Sequence, residues 1–214
     1  MQETDRLDQY ILEHIDEESE YLKALYRDTH VKLLRPRMAS GHLQGRLLKM
    51  LVRMIRPRRI LEIGTAIGYS ALLMAEQFPE AEIDTVELDE GRHHMAEEVM
   101  ERAGFAGRVH CHLGDAGNLI STLSGPYDFL FLDGPKGQYL RELTAIEPLL
   151  SDRAVIAADN VLFRGLVESR EPVPHRYRTL VVRLREYIDY VKQKYETHIL
   201  SLIHISEPTR HLRI

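Results

Sequence analysis

Asp133, Asp159 and Asn160 close two apolar runs, Tyr127 to Leu132 and Ala154 to Ala158. Two carboxylates and an amide are hard oxygen donors. Such a set suits Mg²⁺ or another divalent cation, with water or substrate oxygens completing an octahedron. Lys136 follows Asp133 by three residues, in the loop beyond the run. A lysine beside a divalent cation can lose its proton more readily and act as a general base. Without the neighbouring donors, Lys136 would read as an ordinary surface lysine.

A second constellation lies upstream, in Ile60-Leu61-Glu62-Ile63-Gly64-Thr65-Ala66-Ile67-Gly68-Tyr69-Ser70. An apolar strand ends in an acid, then a glycine turn, then a helix start, which is how an α/β sheet builds a nucleotide-sized site at its carboxyl edge. Gly64 and Gly68 let the backbone approach a ligand. The spacing G-x-x-x-G differs from the G-x-G-x-x-G of a dinucleotide site, so a hydroxyl-bearing or cationic ligand fits better than a pyrophosphate. Glu87 ends the next apolar run roughly 20 residues on, where an acid can take ribose hydroxyls. Val109 to Leu113 runs into Gly114-Asp115-Ala116. Five successive apolar strands thus end in a carboxylate, which argues for one continuous site along the sheet edge.

These residues need a scaffold, and the chain predicts one. Strands from Arg59, from Ile83, over Val109–Leu113, over Tyr127–Leu132 and over Ala154–Ala158 alternate with helices at roughly 69–77, 90–103 and 137–150. Strictly alternating strands and helices mean a doubly wound, mostly parallel α/β sheet of the Rossmann-like kind. Before it, residues 3–30 read as two amphipathic helices and residues 31–40 as a break containing Pro36. Residues 40–56 read as a helix with Leu43, Leu47, Leu48, Leu51 and Ile55 at helical spacing, stopped by Pro57. A helix over 176–194 and a strand from Tyr195 to about Leu200 follow a Pro- and Gly-containing loop. The domain expectation is a helical cap over 1–57 and a core over 58–199.

At 214 residues and 44% hydrophobic, the chain suffices for one domain with a substantial core. No run approaches the ~20 apolar residues of a membrane span, and the acidic start lacks a signal-peptide core, so the expectation is a cytoplasmic protein with no membrane partner. The single cysteine, Cys111, sits in a strand and reads as an inert thiol. The net charge of −5 argues against a generally basic nucleic-acid binder. The stretch Arg164–Lys194 is nevertheless locally basic. It reads either as a phosphate-gripping face or as a solvated helix surface.

The stretches Leu61–Ala71, Asp133-Gly134-Pro135-Lys136-Gly137-Gln138-Tyr139 and Asp159-Asn160-Val161-Leu162-Phe163-Arg164-Gly165 resemble the cation-dependent O-methyltransferases of the catechol O-methyltransferase type. The resemblance covers roughly residues 30–199. Within that group, Lys136–Tyr139 and Asn160–Val167 resemble the bacterial tRNA 5-hydroxyuridine methyltransferases, which make 5-methoxyuridine at the wobble position. The resemblance implies S-adenosyl-L-methionine as cofactor, held by Met38, Glu62, Gly64, Ser70, Glu87, Asp115, Ala116 and Asp133. It implies a divalent cation on Asp133, Asp159 and Asn160, Lys136 as base with Asp133 beside it, and tRNA as partner through the Arg164–Lys194 segment. Catechols and 5-hydroxyuridine alike offer two adjacent oxygens to one cation, so chelation can acidify and orient the hydroxyl together. Methylation of a small catechol-like phenol stays open as an alternative, as does a truncated, non-catalytic cofactor-binding protein. A homodimer is compatible with all three.

The family closes its sheet with a further antiparallel strand, which is here missing or replaced. Residues 200–214 resemble the translation of a transposon-based sequencing adapter. The expectation is a non-native tail, whose His204 and His211 are not to be read as metal ligands.

Overall fold

The computed structural model describes residues 10, 11, 13–32 and 42–200. Strands β1 (Arg59–Ile63), β2 (Glu82–Glu87), β3 (Val109–Leu113), β4 (Tyr127–Leu132) and β5 (Leu150–Ala158) form one parallel sheet in the order β3-β2-β1-β4-β5. The order reverses between β1 and β4. At such a switch point the loops leave in opposite directions and open a crevice above the strand ends. The helices are α1 (Glu20–Lys32), α2 (His42–Ile55), α3 (Tyr69–Gln77), α4 (Glu90–Ala103), the single turn α5 (Ala116–Leu119), α6 (Tyr139–Ile146) and α7 (Arg178–Lys194).

Strand alternation divides the core into two layers. On one face, Ile60, Ile83, Phe129 and Phe131 pack with Val52 of α2, Leu72 of α3 and Met100 of α4. On the other, Leu61, Ile63, Leu130 and Leu132 pack with Tyr139, Leu143 and Ile146 of α6 and Leu184 and Tyr187 of α7. A buried polar knot ties four strands together. The Asp84 carboxylate accepts from Arg59 at 2.7 Å, His112 at 2.8 Å and Tyr127 at 2.8 Å. Burial pushes its pKa up, but these three bonds outweigh burial and hold it below the ordinary carboxylate value.

β3, β4, α3 and α4 run where the sequence pattern puts them. β5 starts at Leu150 rather than Ala154, because a register shift between Tyr127 and Phe129 lets Leu150 pair with Tyr127. The helix expected over 137–150 is divided. A 3₁₀ turn at Lys136–Gln138 precedes α6, and a second at Glu147–Leu149 follows it. Pro148, near the start of that second turn, has no N–H to continue an α-helical ladder. The expected strand Tyr195–Leu200 is not formed. Tyr195 N still bonds Val191 O at 2.8 Å, Thr197 Oγ1 reaches the same carbonyl at 3.1 Å, and the Tyr195 hydroxyl bonds Glu147. The segment is thus tied to the end of α7, and no strand among the described residues pairs with it. The second amino-terminal helix is α1, which still includes residues 31 and 32 of the expected break. Most of the first expected helix, Met38 and residues 201–214 lie outside the described residues. No described helix is long and apolar enough to cross a membrane.

Candidate active site

The β1–α3 turn is set by close backbone packing. Gly64 has φ +104°, and a Cβ there would stand 2.7 Å from the backbone of Asp133 and Gly134. Only a residue with no side chain lets the β1 loop touch the β4 loop this closely. An approach of two chain segments thus by itself requires glycine at position 64, in addition to the ligand approach expected of it.

Below this turn, Glu62 is fully buried. The Ser70 hydroxyl donates to its Oε1, and Thr85 Oγ1 donates to Oε2 at 2.5 Å. Thr85 in turn meets Thr65 Oγ1 at 2.6 Å. Burial pushes the Glu62 carboxyl up to about 7, against the pull of the two hydroxyls. Glu62 and Ser70 are thus brought together, where they brace the turn from beneath.

Glu87 closes the same turn from the side. Its Oε2 accepts from Ala66 N at 2.7 Å and its Oε1 from Asp89 N at 2.9 Å, with the Arg92 guanidinium at 3.8 Å. The bond to Ala66, whose φ is +49°, holds a left-handed residue that alanine seldom adopts. Each carboxylate oxygen can accept further bonds. On the next strand, Asp115 precedes the single turn α5, and Ala116 is buried. Arg141 of α6 pairs with both Asp115 oxygens at 2.9 and 3.1 Å.

The β4 and β5 ends are joined by ladder bonds that outlast the strands. Asp133 N donates to Ile63 O, and Asp159 N to Leu132 O, each at 2.9 Å. These bonds put the two acids just past adjacent strand ends. Lys136 Nζ donates to Asp133 Oδ1 at 2.7 Å, with both side chains only 17% exposed. Burial pushes the Asp133 carboxyl up to about 6. Lys136 opposes that and the charge of Asp159 adds to it. Asp159 Oδ1 accepts from the Asn160 backbone at 2.7 Å and from Asn160 Nδ2 at 2.8 Å. The Asn160 amide oxygen is left as an acceptor that no hydrogen bond among the described residues uses. Asn160 has φ +55°, a conformation that its short polar side chain tolerates. Asp133, Asp159 and the Asn160 amide oxygen are hard oxygen donors just past two adjacent strand ends, a set that could hold a divalent cation.

Tyr139 belongs to this group and was not singled out from the sequence. Its hydroxyl donates to the Asp159 carbonyl at 3.0 Å, and Lys136 Nζ lies 5.5 Å from its ring centroid. Its place three residues after Lys136, in the stretch that carries the family resemblance, is the signal that could have found it. Arg141 is likewise legible only after the fold brings α6 beside Asp115. The structure therefore gathers Glu62, Ser70 and Glu87 around one turn, and Asp133, Lys136, Asp159 and Asn160 around the adjacent crevice.

The basic segment is partly self-occupied. Arg183 donates to Gly137 O at 3.3 Å, in the Lys136 turn, and Arg185 donates to the carbonyls of Leu166, Val167 and Ser169. Arg178 donates to Val173 O at 3.2 Å, and Lys194 pairs with Glu147. None of the six arginines from Arg164 to Arg185 has a carboxylate partner among the described residues, so their charge is not neutralised locally.

Comparison with known proteins agrees with this architecture. Caffeoyl-CoA O-methyltransferase of Stellaria longipes is 29% identical over 174 residues, which are 77% of this chain and 72% of that protein. Catechol O-methyltransferase of Mycobacterium tuberculosis is 35% identical over 132 residues, 61% of this chain and 60% of that one. The crystal structure of the SAH-bound Podospora anserina methyltransferase PaMTH1 superposes with a TM-score of 0.81 at 28% identity, covering 92% of this chain and 88% of that one. The O-methyltransferase family itself matches residues 12–203, and the chain belongs to it.

Proposed function

We propose that the chain transfers a methyl group from S-adenosyl-L-methionine to a hydroxyl oxygen held beside a second oxygen on a divalent cation. The observation that carries this reading is the meeting of Asp133, Asp159 and Asn160 at two adjacent strand ends with Lys136 on the Asp133 carboxylate. The turn shaped by Gly64, Gly68 and Glu87 would seat the cofactor, with Glu87 taking the ribose and Asp115-Ala116 bordering the adenine. The SAH in the related fungal structure supports that cofactor, since SAH is what remains after the methyl leaves.

Asp133, Asp159 and the Asn160 amide oxygen would hold the cation, which would acidify a chelated hydroxyl and neutralise its developing charge. The chain's own residues supply the rest. Lys136 Nζ, once it has given up its proton, accepts the one from the substrate hydroxyl. Its contact with Asp133 fixes where that nitrogen sits. Tyr139 holds the Asp159 main chain, so that Asp159 keeps its place relative to Lys136. A positioned base of this kind contributes about 10²–10⁴-fold.

For the acceptor, we favour 5-hydroxyuridine of tRNA, because the arginines between Arg164 and Arg185 have no carboxylate partner among the described residues and one of them, Arg183, reaches the Lys136 turn. A small catechol-like phenol is the second reading, supported by the names of the caffeoyl-CoA and catechol relatives. The deciding measurement is methyl transfer from labelled cofactor to hypomodified tRNA and to a simple catechol, with Mg²⁺ and with EDTA. The proposal expects no transfer in chelator and none by Asp159→Ala, which should still bind cofactor. Full activity in chelator would reject the cation role. Transfer to catechol alone would reject the tRNA.

A further inference from the structure

We propose that His93, His94 and Glu97 on the outer flank of α4 form a second metal site, for a divalent transition-metal ion such as Zn²⁺, separate from the crevice above β1 and β4. The donor atoms of these three side chains lie within 4.8 Å of one another. His93 is 8% exposed. Its Nε2 faces the backbone carbonyl of Cys111 in β3 at 3.2 Å, so that nitrogen carries the hydrogen and donates. In the neutral ring the lone pair is then on Nδ1. That Nδ1 is buried and makes no hydrogen bond, yet it stands 3.3 Å from Glu97 Oε2. Two acceptors at that separation repel unless a cation sits between them.

His94 completes the arrangement. Its Nδ1 also lies 3.3 Å from Glu97 Oε2, a contact that is a hydrogen bond without an ion and that an ion would replace. Around a tetrahedral Zn²⁺ with bonds of about 2.0–2.1 Å, the ligand atoms are about 3.3–3.4 Å apart. Both edges that meet at Glu97 Oε2 match. One or more waters would complete the shell, since His94 is exposed on the solvent side. The Cys111 carbonyl then has the place that a backbone acceptor holds behind many metal-bound histidines, where it fixes the tautomer and the ring. Two imidazoles with one carboxylate favour Zn²⁺ and its neighbours in the first transition row over Mg²⁺. A competing contact exists: Glu90 Oε1 is 4.0 Å from His94 Nε2, but through the other ring nitrogen. An ion here would clip the first half of α4 to itself and, through His93, to β3. That is the helix that follows Glu87, so the clip would stiffen the cofactor side of the sheet from outside.

The test uses the full chain in excess Mg²⁺, which saturates the hard-oxygen site, and titrates Zn²⁺ by calorimetry and Co²⁺ by visible absorption and by proton NMR of the histidine rings. The expected result is one equivalent bound, a rise in melting temperature, and Co²⁺ broadening of the His93 and His94 rings before any other. His94→Gln is an exposed change and Glu97→Gln a half-buried, near-isosteric one, and both leave the fold intact. Each should weaken Zn²⁺ binding at least tenfold and abolish the melting shift, with methyl transfer unchanged. His93→Gln should do the same, with its folding checked by circular dichroism. Zn²⁺ affinity unchanged in His94→Gln and Glu97→Gln would overturn the proposal, because the ion would then sit elsewhere. So would a His93 ring that is doubly protonated and excludes Zn²⁺, because a proton would then be the bridging charge.

Discussion

Glu142 offers a direct test of the electrostatics behind the crevice. It lies on the buried face of α6, 2% exposed, and its Oε2 has no hydrogen-bond partner. Burial pushes its carboxyl up from 4.5 to about 7. Arg141 and Lys136 pull it back, and Asp115 pushes it further up. A carboxyl whose folded pKa is raised binds its proton more tightly in the native state than in the unfolded one. Between pH 4.5 and about 7 the native chain therefore holds the extra proton, and stability falls as pH rises through that window. Each pKa unit is worth 1.36 kcal/mol, so the whole displacement amounts to about 3 kcal/mol, fully felt above pH 7 and absent below 4.5. Methionine has similar length and no charge to desolvate. Glu142→Met should therefore gain up to about 3 kcal/mol at pH 8, a rise of roughly 6–12 °C in melting temperature for a chain of this size. At pH 4.5 the gain should shrink to the small packing difference between the two side chains. Thermal and urea melts of both proteins at pH 4.5, 6 and 8 read this directly. An equal gain at every pH would mean that packing alone is responsible. No gain at pH 8 would mean that the carboxylate is solvated or paired, and that the cause assigned to its raised pKa is wrong.

Other outcomes follow from single contacts. Gly64→Ala places a Cβ 2.7 Å from the Asp133 and Gly134 backbone at φ +104°, so urea unfolding should show a loss of about 2–5 kcal/mol; a loss below 0.5 kcal/mol would show that the two loops can part freely. Glu87→Gln should weaken cofactor binding by about 1–3 kcal/mol by calorimetry, and unchanged affinity would remove Glu87 from the cofactor seat. Charge reversal at Arg164 and Arg170, which make no bond within the described chain, should lower tRNA affinity with a reduced salt slope and leave catechol methylation intact; equal loss on both would assign them to the fold. Arg183 is a poor choice for that experiment, because its bond to Gly137 O ties it to the Lys136 turn.

The scaffold was legible because strand alternation and helix spacing are local. Val109–Leu113 and Tyr127–Leu132 appear in the structure with the bounds the pattern implies. What the pattern could not give is partnership. Tyr195–Leu200 has the composition of a strand, but a strand exists only where an edge accepts its hydrogen bonds, and here the nearby acceptors are Val191 O and Glu147. Acids at strand ends were equally visible one by one, yet they divide by burial into two kinds of group. Glu62 sits one residue before the end of β1, on the sheet face that Thr85 shares, and strand geometry turns it inward onto two hydroxyls. Asp133 and Asp159 sit one residue past their strands, where the ladder has ended and the side chains can turn toward the crevice. A displacement of two positions along a strand end thus separates an acid that braces a turn from one that can hold a cation. That difference follows from the boundary of the hydrogen-bond ladder, which depends on the neighbouring strand. The spacing Asp133-x-x-Lys136-x-x-Tyr139 is meaningful for the same reason. The 3₁₀ turn over Lys136–Gln138 advances the chain by one turn per three residues, so Lys136 stands above the Tyr139 ring, while its Nζ reaches back across the extended Pro135 to the Asp133 carboxylate.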